Sequence, residues 1–185
     1  MKSSLLVAGF GGQGVMTLGK LVGECAYEQG LKVTFLPSYG PEQRGGTANC
    51  TVILSDEPIG SPSTNRLDVL CAMNQPSLEK FAPNVKPGGV LLLNSSIVDP
   101  GTVTRDDVKV AAVDAEGIAY EIGERRTANV VILATYMTIA DIMPIEEVRK
   151  IAMAKLAKKP ELVALNEKAF DRGVAITKEI IASWA

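Results

Sequence analysis

Leu5-Leu6-Val7-Ala8-Gly9-Phe10-Gly11-Gly12-Gln13-Gly14-Val15 decides the fold. Four consecutive apolar residues, with no polar alternation, read as a short strand buried on both faces of a parallel sheet. The glycines then allow a tight turn. Val15, Leu18, Val22 and Ala26 recur at helical spacing, and Gly30 is a natural C-terminal stop. Gly19 and Gly23 would be costly on an exposed helix, so this helix is expected to lie close to the sheet. Strand, glycine turn and helix open an α/β fold whose ligands collect outside the carboxyl ends of the strands.

A second strand is expected over 31–36, followed by Ser38-Tyr39-Gly40-Pro41-Glu42-Gln43-Arg44-Gly45-Gly46 and a third strand over 47–54. Residues 55–65, with Pro58, Gly60 and Pro62, read as a surface loop. Further strands are expected over 67–73, 90–93 and 108–113, with a short helix over 76–81 and a turn at Lys86-Pro87-Gly88-Gly89. From Ala115 onward the chain reads as helical. The stretch 129–142 is apolar nearly all round, Pro144 marks a break, 145–158 follows, and Pro160 suits the first turn of a last helix. That helix carries two apolar sets, Val163, Phe170, Val174 and Ile181, and Leu165, Ala169, Ile176 and Ile180; core packing or a subunit interface would each explain them. The fold class is therefore α/β: a Rossmann-like open, mostly parallel sheet with helices on both faces and a helical C-terminal segment. Residues 1–185 read as a single domain.

With 46% hydrophobic and 22% charged residues, the composition is that of a soluble globular protein. A net charge of −2 argues against nucleic acid as a partner. No apolar run approaches the roughly 20 residues that span a bilayer, so no membrane role and no signal peptide are expected. Cys25, Cys50 and Cys71 are widely spaced, without a Cys-x-x-Cys pair; they suit reduced, buried thiols in a cytoplasm and not a cluster or zinc site. Histidine is absent, which removes the commonest general acid–base group and metal ligand.

Gly9, Gly11 and Gly14 meet the dinucleotide spacing between a strand and a helix. The helix N-terminus would offer N–H groups and a positive dipole end to an anion. That fingerprint also expects an acid at the end of the second strand, where this chain has Phe35-Leu36-Pro37-Ser38. A purely geometric turn and a site for another phosphate-bearing group, with Gln13 as a polar contact, remain alternatives. In the second segment Glu42 and Arg44 are close enough to pair, or Arg44 can clamp a carboxylate or phosphate.

Gly9-Phe10-Gly11-Gly12-Gln13-Gly14-Val15 together with Ser38-Tyr39-Gly40-Pro41-Glu42-Gln43-Arg44-Gly45-Gly46-Thr47 resembles the gamma subunit of the 2-oxoacid:ferredoxin oxidoreductases. Asn129 ahead of an apolar helix and the stretch 166–173 fit the same family, although Leu133-Ala134 stands where a Leu-Gly pair is frequent. The resemblance covers essentially the whole chain. It implies a complex that converts a 2-oxoacid and CoA to acyl-CoA, CO2 and reduced ferredoxin with thiamine diphosphate and iron–sulfur clusters. Alpha, beta (thiamine-bearing) and ferredoxin-like delta subunits would be the partners and ferredoxin the acceptor. The chain itself would carry no catalytic residue. Its binding residues would be Gly9, Gly11, Gly12, Gln13, Gly14, Tyr39, Gly40, Pro41, Glu42, Arg44, Gly45, Gly46 and Asn129, near the path by which coenzyme A arrives. Lys155, Lys158 and Lys159 would assist there or serve only a helix end. The second segment looks most like 2-oxoglutarate-type chains, with branched-chain and pyruvate types next. An NAD(P)-binding oxidoreductase and a non-catalytic nucleotide-binding scaffold are the readings of another class.

Overall fold

The structure, a computed structural model, describes residues 1–40 and 46–184. Six strands, β1 (Lys2–Phe10), β2 (Lys32–Tyr39), β3 (Thr47–Ser55), β4 (Leu67–Ala72), β5 (Val85–Asn94) and β6 (Lys109–Val113), form one sheet in the order β2-β3-β1-β4-β5-β6. β1, β4, β5 and β6 run parallel, whereas β3 is antiparallel to both β1 and β2. The link from Tyr39 to Thr47 is shorter than the dozen or so residues that a parallel crossover needs, and this forces β3 to turn back. The sheet is thus mostly parallel, as expected. The reversal brings the carboxyl ends of β1 and β2 and the start of β3 to one edge, with Phe10 opposite Thr47 and Tyr39 opposite Ala48.

Alternate residues of each central strand face two cores. Leu5 and Val7 join Val52, Cys71 and Leu92 beneath α1 (Val15–Glu28), α3 (Ala115–Ile122), α4 (Ala128–Ala140), α5 (Ile145–Leu156) and α6 (Val163–Ala182). Leu6 and Ala8 join Leu70, Leu91 and Leu93 beneath α2 (Gln75–Phe81) and Val98. Helices lie on both faces, but very unequally.

α4 is buried on nearly every side, from Val130 through Met137. Each large apolar side chain of this kind contributes roughly 1.5–3 kcal/mol on burial. Its buried hydroxyls are satisfied: Thr135 and Thr138 donate to the carbonyls of Val131 and Ala134 at 2.9 and 2.7 Å, and Tyr136 shares a 3.1 Å hydrogen bond with Ser3 of β1. α6 lies directly on α4. A Cβ at Gly173 would stand 2.7 Å from the Val131 carbonyl oxygen and 2.9 Å from the Ala134 Cβ.

One expectation changes. Lys86 to Gly89 do not precede a strand; they lie inside β5, where the pairing register with β4 shifts between Leu67 and Val69. Much of the two apolar sets of α6 packs on the chain's own core, while Val163, Leu165 and Ile181 stay partly exposed. Ala169 and Phe170 are buried in the larger core and Val174, Ile176 and Ile180 pack against it, because α6 touches α3, α4, α5 and β6. The cysteines are free and buried; burial pushes the Cys25 and Cys50 thiols up to about 12 and Cys71 higher still. Among the described residues no helix is long and apolar enough to cross a membrane.

Candidate functional site

β1 leads through α1 on one face of the sheet, and β4 leads through α2 on the other. The gap between their carboxyl ends is therefore the topological switch point, where doubly wound folds receive ligands. Here Gln13 closes it. The Gln13 Oε1 accepts from the Phe10 N–H at 2.7 Å and from Asn74 Nδ2 at 3.1 Å, and its Nε2 donates to the Met73 carbonyl at 2.8 Å. Asn74 also caps α2 by accepting from the Ser77 N–H at 2.9 Å. A Cβ at Gly9 would stand 2.7 Å from Gln13 Oε1 and 2.8 Å from the Met73 Cβ, so glycine is what lets the bridge close. The Gln13 side chain braces two strand ends. A dinucleotide laid across the gap would have to break three hydrogen bonds, and β2 ends without the expected acid.

The site shifts to the flanks of the glycine turn. Gly11 N–H donates to the Gly46 carbonyl at 2.9 Å, joining the two glycine-rich segments backbone to backbone. Gly40 N–H donates to the Thr47 carbonyl at 2.8 Å. Gly12 and Gly14 adopt φ of +100° and +77°, a region that L side chains rarely enter. Gly14 caps α1 with no side-chain hydrogen bond, and the first turn of α1 carries no acidic residue. A Cβ at Gly14 would collide with the Asn129 amide of α4, so two residues far apart in sequence meet at the start of the helix. Pro41, Glu42, Arg44 and Gly45 lie outside the described residues, as does the Glu42–Arg44 pairing.

Two hollows flank this ridge. One, about 340 Å³, lies between the turn and β2–β3 and includes Phe10, Gly11, Tyr39, Gly46 and Thr47; the Tyr39 side of it is open, at 65% exposure. The other, about 530 Å³, lies between the turn and the start of α4, with Gly12, Gly14, Thr17, Glu116, Arg125 and Asn129. Sequence reasoning missed Thr17, Glu116, Arg125 and Arg126. The available signal was proximity: the arginine pair stands within one helical turn upstream of Asn129. Arg126 holds Glu124 through two 2.8 Å bonds, and these bring the Glu124 carboxyl down to about 2. Arg125 is nearly free, its side chain 87% exposed and 4.0 Å from Glu116. Lys155 does not join them. It pairs at 2.9 Å with Glu28, at the far end of α1, roughly 20 Å along the helix from Gly14.

An open, mostly parallel α/β sheet with helices on both faces and a glycine turn between its first strand and first helix places the chain in the doubly wound class. The chain belongs to the family described as pyruvate ferredoxin/flavodoxin oxidoreductase, which matches residues 4–176. It is 36% identical over 176 residues to the ketoisovalerate oxidoreductase subunit VorA of Methanothermobacter thermautotrophicus, covering 95% of this chain and 36% of that one. It is 32% identical to the 2-oxoglutarate synthase subunit KorC of Methanocaldococcus jannaschii, covering 97% and 96%. The chain thus spans about a third of the length of its VorA relatives and nearly all of that KorC relative. A crystal structure of a keto/oxoacid ferredoxin oxidoreductase gamma subunit from Geobacter sulfurreducens superposes with a TM-score of 0.80 at 28% identity, over 96% of this chain and 99% of that one. The 2-oxoglutarate:ferredoxin oxidoreductase of Magnetococcus marinus, with 2-oxoglutarate, coenzyme A and succinyl-CoA bound, superposes with a TM-score of 0.84 at 25% identity, over 96% and 31%.

Proposed function

We propose that this chain, folded as a single domain, is the gamma subunit of a 2-oxoacid:ferredoxin oxidoreductase that converts a 2-oxoacid and CoA to acyl-CoA, CO2 and reduced ferredoxin. The observation that carries the reading is the Gly11–Gly46 backbone bond beside the uncapped start of α1. Two peptide loops are fused into one glycine-lined rim with free space on both sides. Such a rim lets a phosphate-bearing chain approach the backbone closely, and the helix dipole favours its charge. Gly9, Gly11, Gly12, Gly14, Tyr39, Gly40, Gly46 and Asn129 form this rim or brace it from behind, Gln13 locks it to β4, and Pro41, Glu42, Arg44 and Gly45 belong to the same segment in sequence.

The chain's own residues do not suit the thiamine or iron–sulfur chemistry of the complex. Its three thiols are buried in the core, and no group of three His, Cys, Asp or Glu side chains is placed to hold a metal among the described residues. Thiamine diphosphate and the clusters therefore belong to alpha, beta and delta partners, and this chain binds and orients the acyl acceptor for them in the cytoplasm. The preferred substrate is 2-oxoglutarate, from the second glycine segment and the full-length likeness to KorC. The 36% identity to VorA favours a branched-chain oxoacid as the second reading.

The test is native purification of the chain with mass spectrometry of its partners, followed by a 2-oxoacid panel with CoA and a viologen dye. Co-purification with a thiamine-bearing chain and the highest kcat/KM with 2-oxoglutarate are expected. A chain that purifies alone and binds NADH would overturn the reading.

A further inference from the structure

The two edges of the sheet are finished differently. On β6, the Trp184 indole N–H donates to the Val110 carbonyl at 3.2 Å, and Lys109 lies over the same ring at 5.2 Å. The chain end after α6 thus plugs that edge. On β2, the other edge, no backbone hydrogen bond outside the ladder reaches Val33 or Phe35 among the described residues. An open edge is a ready template for another strand. The Gly40 N–H donates to the Thr47 carbonyl, which sets the phase of the β2–β3 ladder: even-numbered residues of β2 bond inward. Val33 and Phe35 therefore turn their N–H and C=O groups outward. This outward stretch is bounded at both ends. The Leu31 N–H is already donated to the Ala26 carbonyl at 3.1 Å, and Pro37 has no N–H. Its midpoint is Thr34, whose buried hydroxyl has no hydrogen-bond partner among the described residues. Four of the seven exposed large apolar side chains, Tyr27, Phe35, Leu36 and Tyr39, lie on β2 or at the end of α1 beside it. A hollow of about 650 Å³ borders the edge between Tyr27 and Ile59.

We infer that β2 is the seam of a homodimer, pairing antiparallel with β2 of a second copy across a two-fold axis at Thr34. Val33 of each copy faces Phe35 of the other and exchanges both N–H···O=C bonds with it. Pro37 falls outside the paired stretch, so its missing N–H is not needed, and Leu31 keeps its bond to Ala26. Thr34 meets its own copy, a cross-strand pair in which each hydroxyl finds a partner. Lys32 is the one charged residue of β2, and it lands opposite Leu36 and not opposite itself, so the axis creates no like-charge pair. The contact is isologous and closes at two copies. Backbone pairing alone is small beside the roughly 800 Å² per partner of a stable interface, and Tyr27, Phe35, Leu36 and Ile59 supply apolar surface around it. Tyr39 lies beyond the seam and stays open.

Light scattering on the full chain tests it. A mass twice the 19.6 kDa of one chain is expected, falling towards a single chain on dilution. Leu36→Lys sets lysines against each other across the seam and gives a monomer with unchanged circular dichroism. Val33→Pro removes an outward donor, leaves the inward ladder intact, and separates the copies by another route. Thr34→Cys reads the register. On mild oxidation it links two copies, because directly facing residues stand within disulfide reach, whereas Lys32→Cys and Ser38→Cys do not. The native thiols are buried and stay silent. The same Thr34→Cys chain in the purified complex separates the occupants: a link between two copies supports the dimer, and a link to a different subunit, or none, overturns it. A chain that is monomeric at every concentration also overturns it, as does a dimer that Leu36→Lys leaves intact. None of these readouts depends on which oxoacid or acyl acceptor the complex uses.

Discussion

α1 and α3 begin at the same edge of the sheet, each directly after a strand that runs parallel to the other, yet their first turns are built in opposite ways. α3 closes itself. Asp114 accepts from the Gly117 N–H at 3.0 Å, Ser96 donates to the same carboxylate at 2.5 Å, and Glu116 adds a negative charge to the first turn. α1 begins on a left-handed glycine with neither cap nor acid. A helix start left open costs stability, and the usual side-chain remedy is worth about 1 kcal/mol. The contrast teaches that the edge as a whole does not select for openness. Of the three helices that follow strands at this edge, α2 and α3 are capped by Asn74 and Asp114 and α1 alone is open, with no Cβ at position 14 where Asn129 packs.

Placing a side chain at that contact has the largest expected effect. Gly14→Val must enter a strained φ and collide with Asn129, costing roughly 3 kcal/mol and about 5–10 °C in Tm by calorimetry. Opening α3 costs less: Asp114→Ala loses its cap and lowers Tm by about 2–4 °C. Making α1 resemble α3 works the other way. Thr17→Glu places a carboxylate in the first turn of α1, raises Tm by about 1–2 °C through the helix dipole, and weakens CoA binding several-fold in the same preparation. A variant that gained stability and kept its CoA affinity would end the argument that the open turn serves a ligand.

The smallest effect concerns the Glu124–Arg126 clasp. The Glu124 carboxyl is held at about 2, below its ordinary 4.5, chiefly by the Arg126 hydrogen bonds. A depressed carboxylate stabilises the fold above its unfolded pKa, and that contribution fades as pH falls from about 4.5 towards 2. Urea midpoints of Glu124→Gln should therefore fall slightly below wild type at pH 7 and converge with it as pH approaches about 2.

The strand–turn–helix unit was legible in the sequence because its determinants are local: an apolar run, glycines, then a 3.6-residue period. The mostly parallel sheet followed from the spacing of such units. The direction of β3 was not read, although the shortness of its link to β2 contains it. The role of Gln13 was hidden for another reason, since its partners Met73 and Asn74 lie about 60 residues away and only folding brings them together. Arg125 was passed over because an exposed arginine has no periodicity to mark it. The sequence left α6 open between core packing and an interface because a helix touching several elements of its own chain shows apolar residues on several sides, just as an interface helix would.

Hydrogen–deuterium exchange on the intact complex, with and without saturating CoA, reads the open edge directly. CoA should slow exchange over residues 10–17 and 125–129 and leave the self-capped start of α3 at 115–118 unchanged. Equal exchange in all three segments would contradict a role for this edge in receiving the acyl acceptor.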